Sequence, residues 1–161
     1  MHMLSKPDAG WTGFCLGSRT YYLSYLNDIP FEWLDQAIHG LETMAPFAVH
    51  GFCEPGRVLC LISYWNCHII SEDDGRKELN CAETELEIAH VNMLDFCKAL
   101  HADISHDLDA WGEWVNIFVE TEREYNKIKN KRKKLLEKRL RELEKLIQRN
   151  GQNFDEHHSF L

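Results

Sequence analysis

From Asn116 to Arg149 the chain contains neither proline nor glycine and is dominated by Lys, Arg, Glu and Leu, so the stretch predicts one unbroken helix. At about 1.5 Å per residue, its 34 residues make a rod about 51 Å long. A domain built from 161 residues is narrower than that. The rod must therefore project from the body, fold back along it, or meet another chain. Helical character extends upstream to about Ser105 with Gly112 as its weak point, and Gly151 reads as a C-terminal stop.

Charge divides at the same place. Residues 1–115 carry 18 acids against 6 bases, and residues 116–161 carry 12 bases against 8 acids. An acidic body with a basic arm favours an arm lying across an acidic surface, its own or a partner's. Within the arm, Leu136, Leu140, Leu143 and Ile147 recur at the four-three-four rhythm of a coiled-coil seam, which Leu135 and Leu146 widen. That seam suits antiparallel pairing of two copies into a homodimer, or packing on the protein's own sheet. Nucleic acid is the least favoured partner. The cations of residues 129–134 could neutralise phosphates, but the body would repel them, and no aromatic residues interleave to stack bases.

The first two thirds read as strands around one helix. Residues 11–16 and 20–25 are rich in aromatic and β-favouring residues on either side of Gly17-Ser18-Arg19. Asp28 reads as an N-cap with Pro30 in the first turn of a helix to about Thr43, whose apolar positions follow the 3.6 period. Residues 47–53 and 57–64 form a hairpin around Glu54-Pro55-Gly56-Arg57, which fits a type II turn. Residues 67–71 continue the meander. Residues 83–91 satisfy both periods and are taken as an edge strand with Glu85 and Glu87 on its wet face. A helix then starts after Asn92.

With apolar residues at 44% and charged residues at 27%, the chain falls in the globular class rather than the disordered one. No apolar run approaches the roughly 20 residues of a membrane span, and the N-terminus lacks the pattern of a secretory signal. A cytoplasmic protein with six reduced cysteines follows as the expectation. The opening Met-His-Met is given no structural weight.

Candidate chemistry is sparse. His101 to Asp109 gathers imidazoles and carboxylates, and Asp103, His106 and Asp107 stand three and four apart, a spacing that on a helix could hold a divalent transition metal. A small metal-dependent hydrolase is therefore the alternative reading. Cys67-His68 lies on a strand, where neighbours face opposite ways and do not make a nucleophile–base pair. Trp111, Trp114 and Phe118 fit one helix face, as core or as an exposed anchor.

The expectation is an α+β fold with a mostly antiparallel sheet of about five to six strands, ordered ββα-βββ(β), followed by a helical pair whose last member is long. It divides into an acidic domain over 1–115, a basic amphipathic helix over 116–150 and a frayed tail over 151–161. The leading function is a non-catalytic protein-binding module without a cofactor, which meets a basic protein partner as toxin-immunity proteins do. Its contacts would come from Glu72, Asp73, Asp74, Glu83, Glu85, Glu87, Trp111 and Trp114. Self-association would run through Leu136, Leu140, Leu143 and Ile147.

Overall fold

The computed structural model describes residues 1–73, 84–115 and 118–158, with side chains as far as Gln152. Its elements are β1 (Trp11–Phe14), β2 (Tyr21–Ser24), α1 (Ile29–Thr43), β3 (Phe47–Phe52), β4 (Arg57–Ile62), β5 (Cys67–Glu72), β6 (Thr84–Ala89), α2 (Met93–His106), α3 (Leu108–Gly112) and α4 (Glu122–His158). The α+β class and the strand order expected from the sequence hold. The six strands divide, however, into a β1–β2 hairpin and a separate antiparallel meander β3-β4-β5-β6.

Local chemistry explains most boundaries. Asn92 accepts the Asp95 N–H at 2.8 Å and so caps α2. Pro30 stands in the first turn of α1, but Asp28 caps no backbone N–H there. Its carboxylate is instead held by Arg132 of α4, at 2.9 and 2.8 Å. The β3–β4 turn is not type II. Gly56 takes the expected positive φ of 97°, but the Glu54–Pro55 bond is cis and Glu54 itself sits at φ 44°.

Three layers stack. The inner face of the four-stranded sheet presents Phe47, Val49, Val58, Cys60, Ile62, Cys67 and Ile69 to α1 and α2. Phe14, Trp33, Phe96 and Phe47 run through this interior as a chain of aromatic contacts 5.2 to 6.4 Å between ring centres. α4 forms the third layer, packed across α1, α2 and α3.

The long helix departs from expectation at both ends. It starts at Glu122 rather than continuing from α3, because the chain leaves the helix after Gly112 and turns back. Trp111 and Trp114 are buried at that turn, and the Trp114 indole N–H donates to the Asn27 carbonyl at 2.9 Å. A single helix through residues 105–150 could not bring residues 122–150 back over α1. At the other end α4 passes Gly151 and runs to His158. Nothing crowds Gly151, and no turn is required of it.

The N-terminus also carries more than the sequence suggested. Met3 and Leu4 are buried, and Leu4 bridges Phe14. The Met3 and Leu4 N–H groups donate to the buried Asp103 carboxylate at 2.8 and 2.9 Å. The opening residues are thus pinned to α2.

Candidate functional site

The acids expected to meet a partner are largely engaged within the chain. Glu72 is buried and accepts from Arg57 Nε at 2.9 Å. Glu85 pairs with Arg19. Glu87 accepts from the Ser18 hydroxyl at 2.6 Å and from the Tyr21 hydroxyl at 3.2 Å. Partial burial works against the Glu87 charge, but the bonds from Ser18, Tyr21 and the Arg19 N–H outweigh it and hold the carboxyl below its usual range. Tyr21 is pushed up in turn, by burial first and then by the Glu87 charge. Asp73 is exposed just past β5, while Asp74 and Glu83 lie outside the described residues. Trp111 and Trp114 are core residues with ring centres 5.3 Å apart. Phe118, grouped with them by spacing, is exposed.

The expected metal cluster does not converge. Asp103 is turned inward to the N-terminal backbone and His2, whereas His106 points to solvent and meets Asp107, at 3.3 Å. Among the described residues no three His, Cys, Asp or Glu side chains are placed to hold a metal. Spacing on one helix brought these residues to neighbouring turns, and the buried N-terminus then took Asp103 away from the other two.

The leucine stripe faces the chain's own body. Leu136, Leu140 and Leu143 are buried in the same core as α1 and α2, with Ile147 partly buried against it. The basic arm is docked by ion pairs as well. Besides Arg132 with Asp28, Lys133 meets Asp109 at 2.7 Å, Arg139 meets Asp35 at 2.6 Å, and Lys129 meets Glu113. The Arg132 and Arg139 guanidinium groups lie 4.8 and 5.0 Å from the centre of the Phe31 ring. Of the destinations open to the arm, the structure gives its own body. It packs there against helices rather than the sheet.

The surface left open is the outer face of the four-stranded sheet. Strand register places His50, Leu59, Ile70 and Leu86 in one row across it, and Ala48, Leu61, His68 and Ile88 in the next. Leu59, Leu61, Leu86 and Ile88 are 38%, 40%, 62% and 50% exposed. Arg57 and Glu72 close one end as an ion pair. A depression of about 420 Å³ lies on this face between His50, Phe52, Arg57, Leu59, Ile70 and Glu72. The tip of the β4–β5 turn adds the exposed Trp65.

This face corrects the reading of β6. Glu85 and Glu87 share the side of Ile69 and Ser71, where the β1–β2 turn meets them, and Leu86 and Ile88 point outward. One signal was present in the sequence. The run Val58 to Ile62 is apolar at every position, as expected of a strand covered on both sides. Its burial nonetheless alternates, because among the described residues nothing lies on the outer side.

No helix among the described residues is long and apolar enough to cross a membrane. Comparison with models of protein families, with curated proteins and with solved structures finds no match to the chain.

Proposed function

We propose that the chain is a non-catalytic protein-binding module whose contact surface is the outer face of the β3–β6 sheet, and that the occupant of that face is a second copy. The carrying observation is the pair of largely apolar rows through Leu59 and Leu61, which no described residue covers. Four strands about 4.8 Å apart and six residues long at about 3.3 Å each span about 19 by 20 Å. That footprint falls in the range of a monomer's largest apolar patch, which is often functional.

Charge selects the occupant. A chain of net charge −8 repels its own copies over most of its surface. On this face, among the described residues, Arg57 closes on Glu72 and His50 reaches the Glu32 carboxylate at 4.0 Å, and the two rows through Leu59 and Leu61 hold only apolar and imidazole side chains. Two sheets can therefore pack at the usual separation of about 10 Å without opposing like charges. The basic partner expected from composition would need open acids, and Glu72, Glu85 and Glu87 are engaged internally. The footprint is smaller than the about 800 Å² per partner of a standard interface, so the pairing is weak and depends on concentration.

Light scattering and sedimentation across about 1 to 500 µM test it, a range chosen to bracket the affinity of a small interface. The expected result is a monomer at the low end and a dimer at the high end. Leu59→Glu with Ile88→Glu should hold the chain monomeric throughout, with its thermal melt unchanged. A wild-type mass that stays monomeric at every concentration, or a dimer indifferent to both substitutions, overturns the reading. Metal analysis of the purified chain and of His106→Ala separates the alternative hydrolase, which needs a stoichiometric metal that the substitution removes.

A further inference from the structure

Docking of α4 leaves a second line of charge facing solvent. Lys127, Lys131, Lys134, Lys138, Arg141 and Lys145 recur at spacings of four and three, and all are exposed. At 100° per residue they fall on one face, directly opposite the buried Leu136, Leu140 and Leu143 and the partly buried Ile147. Arg123 and Arg149 continue the line at its two ends. The helix thus sorts its cations into two sets. Lys129, Arg132, Lys133 and Arg139 lie on the side turned to the body, where they meet its acids. Among the described residues, no side chain of the outer set forms an ion pair with a carboxylate, and Glu124 and Glu142 border the line without closing on it.

We infer that this outer face of α4 binds the phosphodiester backbone of a nucleic acid without reading its bases, a site independent of the sheet surface. Six cations over 18 residues give a straight line about 27 Å long with a charge every 5 Å or so, which suits a linear polyanion and not a compact ligand. Lysine predominates, and lysine is a point-charge partner for phosphate and is depleted in protein interfaces. A bilayer is a poorer fit, because the apolar face an interfacial helix would insert is buried in the core.

The acidic body does not turn open carboxylates toward α4 at the four positions where the helix is held. Asp28, Asp35, Asp109 and Glu113 are each neutralised by one of its body-facing cations. Lys133 holds the Asp109 carboxyl below its usual range, and the bond to Glu113 pushes the Lys129 ammonium up. These four body acids are thus paired where the helix docks.

The test is fluorescence anisotropy of the full chain with a labelled 30-base-pair DNA duplex and with an RNA duplex of equal length. Vesicles of mixed neutral and anionic lipid form a third arm. Binding of either duplex is expected at about 50 mM salt, falling steeply on the way to 200 mM, with a log–log slope of about −0.9 for each phosphate engaged. The stronger duplex arm identifies which source supplies the backbone. Charge reversal at Lys127, Lys131, Lys134 and Lys138 should weaken binding by about tenfold or more, with the circular dichroism spectrum retained. Lys98→Glu on α2 should leave it within about twofold, since that exposed lysine stands outside the stripe and carries no part of the phosphate contact. Absence of binding at 50 mM salt, insensitivity to salt, indifference to the four reversals, or binding to the vesicles alone overturns the inference.

Discussion

Asp103 shows how little a residue's neighbours in sequence say about its work. It sits among His101, His106, Asp107 and Asp109, a grouping that resembles a ligand set. Its actual partners are two backbone N–H groups about a hundred positions away, together with the His2 ring at 2.7 Å. No spacing rule reports a carboxylate bonded to distant backbone, so this role was not legible. The consequence is measurable. Asp103→Ala strands the Met3 and Leu4 N–H groups in a buried site, and charge-assisted bonds of this kind contribute about 1.5–3 kcal/mol each to charged partners. The loss should appear as a lower urea midpoint, by about 2–4 kcal/mol in unfolding free energy. Asp103→Asn keeps an acceptor and should lose less. An unchanged midpoint in the alanine variant would mean that the N-terminal segment is not pinned in solution.

Elements were more legible than their neighbours. The period of α1, the capping of α2 by Asn92 and the existence of a long C-terminal helix are all local signals, and each appears in the fold, although both ends of α4 are shifted. What an element packs against is decided by the rest of the chain, and there the sequence was ambiguous. The Leu136 to Ile147 seam serves a coiled coil and a core equally well, and it is core. The alternation in β6 fits either face outward, and the bonds of Ser18 and Tyr21 to Glu87 select the one with the carboxylates inward. The break after Gly112 was illegible because only the return of α4 across α1 demands it.

These assignments separate by experiment. Leu143→Ala removes a fully buried side chain from the chain's own interior. It should lower stability by about 2–5 kcal/mol, the usual range for such cavities, as read by chemical denaturation at a concentration where the chain is monomeric. Leu135→Ala, about two turns away and exposed, should change stability far less. The opposite order of effects would place the seam between chains.

At the scale of the whole molecule, the division of charge is partly an instruction for assembly. Surface pairs are individually worth less than about 1 kcal/mol, but they orient the elements they join. The arm's body-facing cations meet Asp28, Asp35, Asp109 and Glu113 while its leucines enter the core. A histidine also titrates at this junction. His101 of α2 is half-buried beneath α4, close to the Leu140 carbonyl and the Glu144 carboxylate. Burial pushes its pKa down and outweighs both of those groups, which favour the charged ring. The neutral form is therefore the one that fits the fold. On acidification the unfolded chain takes up its proton first, near the ordinary value of about 6.5. From there downward the unfolded state binds more protons than the folded state, so stability falls as pH falls, until the folded pKa is passed. Stability is full above about pH 6.5. His101→Gln removes this proton without removing the acid pairs, so the difference between wild type and variant isolates it. Urea unfolding of the two at pH 7.5, 6.0 and 5.0 should show the wild type losing ground to the variant as pH drops. Parallel losses in both would locate the acid sensitivity in the carboxylates of the arm's ion pairs, and not in His101.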